Sequence, residues 1–131
     1  MNKVESAKKW YKQAKHDLEM AERMLKQEGF DVTAFLCHQS VEKLLKAILI
    51  LEKGTLKKTH FIDELAQDLG VSPEILDDVN ELTPDYLPSR YPDVSEKVPY
   101  EEYDSEIAEE KLNATKRIYA NLSERYRVLE D

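Results

Sequence analysis

Apolar residues along this chain recur at steps of three and four, the spacing that puts them on one side of an α-helix. Ala7, Trp10, Tyr11, Ala14, Leu18, Ala21 and Leu25 form such a stripe, with Lys and Glu on the other face. The spacing predicts a first helix over residues 3–28. A second, over 32–53, is more continuously apolar and has Asp31 as its expected N-cap. A third, short helix is expected over 60–69, after Thr59. A fourth begins at "SPEIL". There Ser72 caps, Pro73 takes the first helical position and Glu74 suits the positive end of the dipole. Ala108, Leu112, Thr115, Tyr119, Leu122 and Tyr126 mark a last helix over 105–127. Residues 84–103 hold four prolines and are expected to be irregular, with at most a turn of helix.

Gly29, Gly54 and Gly70 each follow a helical segment, where glycine takes the left-handed conformation without strain. No stretch alternates as a half-buried strand would. The expected fold is an all-α, up-and-down antiparallel bundle of four to five helices, forming one domain over residues 1–131. The first two helices, joined by a short connection, should make an αα-hairpin.

Inside the second helix, "CHQSVEKLLKAIL" (37–49) carries a polar arc on its surface. At 3.6 residues per turn Gln39, Glu42, Lys43 and Lys46 share one side, and Cys37, Val41, Leu44, Leu45 and Ile48 share the opposite one. Phe35, Leu49 and Ile50 bracket the polar arc with apolar groups. A solvated edge holding a Glu42–Lys46 pair is the plainest reading. The bracketing favours partial cover by a second subunit. Any buried charge at Lys43 then requires a partner.

Charge adds a second feature. The net charge is −8, but residues 1–60 hold 12 Lys and Arg against 8 Asp and Glu, and residues 61–131 hold 7 against 19. An acidic whole is unsuited to general phosphate-backbone binding, whereas a local basic face suits an anion or a charged partner. Lys53, Lys57 and Lys58 make such a corner where the helix dipole favours cations. His60 is expected at the start of the third helix, as a neutral imidazole. A third feature is "DYLPSRYPD" (85–93), where Tyr86, Tyr91, Arg90 and Asp93 share a proline-flanked loop. Arg90 offers a planar fork for phosphate or carboxylate. The tyrosines suit either stacking on a base or stapling the loop to the bundle.

Several chemistries lack their residues. The single cysteine, Cys37, excludes an internal disulfide, and with three scattered histidines gives no zinc spacing. No Glu-x-x-His pair supports a di-iron bundle, and no phosphate loop is present. No metal and no cofactor is expected. The N-terminal stretch has no apolar run and no segment is long enough to cross a bilayer, so a soluble cytoplasmic protein is expected.

"QSVEKLLKAIL" (39–49), "KTHFIDELA" (58–66) and "YLPSRYPD" (86–93), in this order, resemble the HEPN domain, and the resemblance spans nearly the whole chain. It implies a dimerising helical bundle. It also implies a frequent association with a minimal nucleotidyltransferase in toxin–antitoxin-like pairs. The family's polar positions fall on Gln39, Glu42, Lys43, Lys46, Thr59, His60, Tyr86, Arg90, Tyr91 and Asp93. Lys58 of the basic corner joins them as an expected anion contact. One departure bears on activity. HEPN ribonucleases carry an arginine followed four to six residues later by histidine, and no arginine here is so followed. A proton-shuttling histidine is thus not in place at that motif, and no catalytic residue is assigned. The expected function is a homodimeric, non-catalytic nucleotide-binding or accessory module. The alternatives are a ribonuclease with another residue set, such as His60 with Arg90, or a structural adaptor.

Overall fold

The computed structural model describes residues 2–86, 91–93 and 96–131. Its α-helices are α1 (Lys3–Lys26), α2 (Phe30–Lys53), α3 (Ile62–Asp68), α4 (Pro73–Leu82), α5 (Ser105–Asn121) and α6 (Ser123–Tyr126). Single turns of 3-10 helix cover Thr83–Asp85, Pro99–Glu102 and Arg127–Glu130. Among the described residues there is no strand, and no helix is long and apolar enough to cross a membrane. The all-α antiparallel bundle expected from periodicity is observed, with six α-helices among the described residues and not four to five, because the last expected helix divides into α5 and α6.

The first two helices form the expected hairpin. Ala7, Ala14 and Ala21 recur every seventh residue of α1 and are fully buried. Their small side chains let α2 approach closely. Ser40 of α2 donates its hydroxyl to the Ala14 carbonyl at 2.8 Å, and lies 2.6 Å from the Tyr119 hydroxyl of α5. One small polar side chain thus joins three helices. Around it Val41, Leu44, Leu45 and Ile48 of α2 meet Ile62, Leu65, Val79, Leu82 and Ile118, all fully buried.

Helix ends depart from expectation in instructive ways. Gly54 and Gly70 take the left-handed conformation, but Gly29 does not; Glu28 adopts it instead, at φ 64°. Gly29 is the N-cap of α2, so this helix starts at Phe30 and Asp31 lies within its first turn. The Gly29 carbonyl accepts from both the amide and the hydroxyl of Thr33. Asp31 still carries negative charge at the positive end of the dipole. Thr59 does not cap α3. Its hydroxyl accepts from the Phe61 amide at 3.1 Å, which turns the chain early and leaves His60 outside the helix. Ser72 caps α4 as expected, accepting from the Ile75 amide. The last helix breaks at Leu122. There the Tyr126 hydroxyl occupies the Tyr119 carbonyl, which would accept from position 123 in an unbroken helix.

Candidate functional site

Glu42 stands at one edge of the polar arc on α2. Its side chain is about 5 % exposed, and so is that of Lys46, whose ammonium lies 2.9 Å from Glu42 Oε2. This i,i+4 pair is therefore buried, and the solvated edge is not what forms. Lys46 also lies over the Trp10 ring of α1, 5.4 Å from its centroid, a cation–π contact strengthened by burial. Lys43 turns the same way and pairs with Asp17 of α1 at 2.5 Å. Glu52, near the end of α2, binds Arg125 through two hydrogen bonds. Ile50 and Leu49 are buried by the chain itself. For Lys43 and Lys46, α1 supplies cover that the sequence pattern assigned to a second subunit.

The other side of Glu42 faces the 54–61 connection. His60 Nδ1 lies 3.1 Å from both Glu42 oxygens. A carboxylate only accepts, so Nδ1 carries the hydrogen between them. This corrects the placement of His60. It does not sit against a helix N-terminus but is a half-exposed ring held by a buried carboxylate. Tyr86 stacks on His60, with centroids 4.6 Å apart and planes at 17°. The same phenol ring lies 5.4 Å from His38 and 6.3 Å from Phe35.

His38, His60 and Tyr86 border a cleft of about 390 Å³ with Lys58, Thr59, Phe61 and Asp63 on its walls. Lys58, Thr59, His60 and Tyr86 of the expected site are thus brought together. Lys43 and Lys46 point their charges toward α1. Gln39 is half-buried, with Oε1 3.3 Å from His38 Nδ1. Tyr91 and Asp93 are exposed. Arg90 lies outside the described residues. The basic corner is also divided. Lys57 pairs with Asp68 and Glu64, and Lys53 donates to the Asp68 carbonyl. Lys58 makes no ion pair among the described residues, which leaves its ammonium available to an anion at the mouth of the cleft.

His38 and Asp17 escaped the sequence reading. Asp17 lies seven residues after Trp10 and three after Ala14, so its place on the inner edge of α1 was visible in the spacing. His38 sits between the polar arc and the core face. It is 1 % exposed, and burial pushes its pKa below the usual value of 6.5, against the opposing pull of Gln39 and Glu42. Because the folded pKa is depressed, the unfolded chain takes up the proton first as pH falls. This contribution to stability is therefore complete above pH 6.5 and is lost as pH drops through the folded pKa. His38→Asn should flatten the fall in the urea midpoint below pH 6.5 relative to wild type. Parallel pH profiles for the two proteins would show that other groups set that slope.

An all-helical bundle with a mixed-charge cleft against its second helix is the class that fold and site define. The chain belongs to the HEPN domain family, whose model matches residues 7–125. Among solved structures it is similar to ST0689, an archaeal HEPN homologue, at 36% identity and a TM-score of 0.74, over 92% of this chain and 94% of that one. It is also similar to TT1696 from Thermus thermophilus, at 28% identity and a TM-score of 0.80, over 95% of this chain and 99% of that one. No curated protein sequence is significantly similar to the chain.

Proposed function

We propose that this protein is a non-catalytic, homodimeric HEPN module of the cytoplasm. It binds a nucleotide or nucleotide-like anion and acts with a minimal nucleotidyltransferase in a toxin–antitoxin-like pair. The observation that carries the binding reading is the cleft itself. Its volume falls in the range of small-ligand sites. A stacked His60–Tyr86 ring pair offers a π-face, Lys58 offers an ion-free ammonium and Asp63 offers an acceptor for hydroxyl or amino groups. The paired nucleotidyltransferase and the homodimer rest on the family resemblance.

Calorimetric titration with ATP, GTP and their diphosphates tests the binding. Tyr86→Ala should weaken it by roughly tenfold, as loss of a ring contact worth about 1–3 kcal/mol implies, and Lys58→Ala should weaken it by removing the cation at the mouth of the cleft. Lys43→Ala should change it little, because that charge is already paired with Asp17. Absence of binding to the wild type, or equal binding by all three variants, sinks the proposal.

One observation favours an enzymatic second reading. A carboxylate holding Nδ1 of a half-exposed imidazole is the arrangement of a general base. Transfer RNA incubated with the purified protein separates the two readings. Cleavage abolished by His60→Ala establishes the enzyme, and intact RNA leaves the binding module.

A further inference from the structure

The N-terminal half of α1 is a concentrated basic surface on an acidic protein. Residues 3–16 hold five lysines and one carboxylate, Glu5, while the chain as a whole carries −8. Lys12 and His16 are exposed and make no ion pair among the described residues. Lys15 is exposed too, its ammonium 5.6 Å from the Tyr119 ring centroid and in no ion pair among the described residues. Beside this row runs a groove of about 620 Å³ between α1 and the Arg127–Glu130 turn.

The chain's own residues show what this groove accepts. Leu129 is buried in its floor beside Tyr11. The Tyr11 hydroxyl donates to Glu130 Oε2 at 3.1 Å, and the Lys8 ammonium donates to the Asp131 carbonyl at 3.0 Å. An apolar side chain goes down, a carboxylate meets the phenol, and a backbone carbonyl meets a lysine. Lys12 and Lys15 stand one and two helical turns beyond Lys8 on the same rim. Glu19 is the acidic residue of α1 on that rim.

We infer that this track along α1 is a docking surface for an acidic, amphipathic peptide segment of a partner protein. Its apolar side chains continue the floor begun by Leu129, and its carboxylates pair with Lys12 and Lys15. A nucleic acid fits less well. Tyr11 is only 7 % exposed, so its ring is no platform for a base, whereas the buried Leu129 beside it shows that the groove takes an apolar side chain. The surface lies on α1 and shares no residue with the cleft at Glu42 and His60, so the two proposals stand or fall separately.

Fluorescence anisotropy on the full chain tests it. The probes are a labelled peptide of repeated Leu-Glu-Glu, its Leu-Gln-Gln counterpart and a labelled single-stranded RNA. The acidic peptide should bind, and added salt should weaken it. The Lys12→Glu/Lys15→Glu double variant should bind it about tenfold more weakly, since rim charges set attraction and register. Its circular-dichroism melt should match wild type, and Lys58→Glu at the cleft should leave the affinity unchanged. The inference is overturned by equal binding of the two peptides, by no peptide binding, by an unaltered affinity in the double variant, or by tighter binding of the RNA.

Discussion

Lys46→Met should lower the free energy of unfolding by about 3–5 kcal/mol, the usual result of stranding one member of a buried ion pair. Both side chains are about 5 % exposed, so water does not take over the role of the missing ammonium. Methionine fills the space of the lysine stem but carries no charge. Glu42 keeps His60 as a partner, but that ring is half-exposed and does not replace the buried ammonium. The variant also loses the cation over Trp10. Urea denaturation gives the number. Glu42→Gln combined with Lys46→Met should recover most of the loss, because the remaining groups are then uncharged. A loss under about 1 kcal/mol for the single variant would place the pair with ordinary surface salt bridges and contradict its burial.

Asp85→Ala should cost about 3 kcal/mol, toward the lower end for a broken buried pair. Asp85 is 1 % exposed, and its Oδ2 lies 3.1 Å from the Lys111 ammonium, close enough to pair although outside hydrogen-bond geometry. Its Oδ1 accepts from the Tyr103 hydroxyl at 2.5 Å. Lys111 keeps the Glu81 carbonyl at 2.6 Å and the Glu81 carboxylate at 3.5 Å, which is why the cost stays near the low end. The carboxylate ties the Thr83–Asp85 turn to α5, and Tyr86 follows directly. Loss of the tie should therefore speed hydrogen exchange at residues 83–86 more than in α1. Uniform acceleration across the bundle would show that Asp85 stabilises the whole fold and not this turn.

Sequence periodicity was enough to place the helices, because each buries a stripe at a spacing that only a helix aligns. Ser72 was legible for the same kind of reason, since its capping contact is local. Glu42 was recognisable as polar on the right arc, but its role as a shared acceptor was not. That role depends on α1 bringing Trp10 to Lys46 and on the 54–61 connection bringing His60 from eighteen positions away. Asp17 was hidden differently. A carboxylate on an apolar stripe reads as a flaw until Lys43 appears opposite it. The position of His60 was misread because Thr59 serves either as a helix cap or as a turn within the preceding loop. The local sequence suits both, and packing of Ile62 into the core selects the turn.

The alanines at 7, 14 and 21 divide α1 into two kinds of sequence position. Along the inner edge, where the Ser40 hydroxyl reaches the Ala14 carbonyl, any larger side chain forces the helices apart. On the outer face, Lys9, Lys12 and His16 are exposed, and substitution there leaves the packing intact. The helix can therefore exchange one set of outward charges for another while its inner seam stays the same. Its surface is free to be retargeted, by divergence or by design, without re-solving the bundle beneath it.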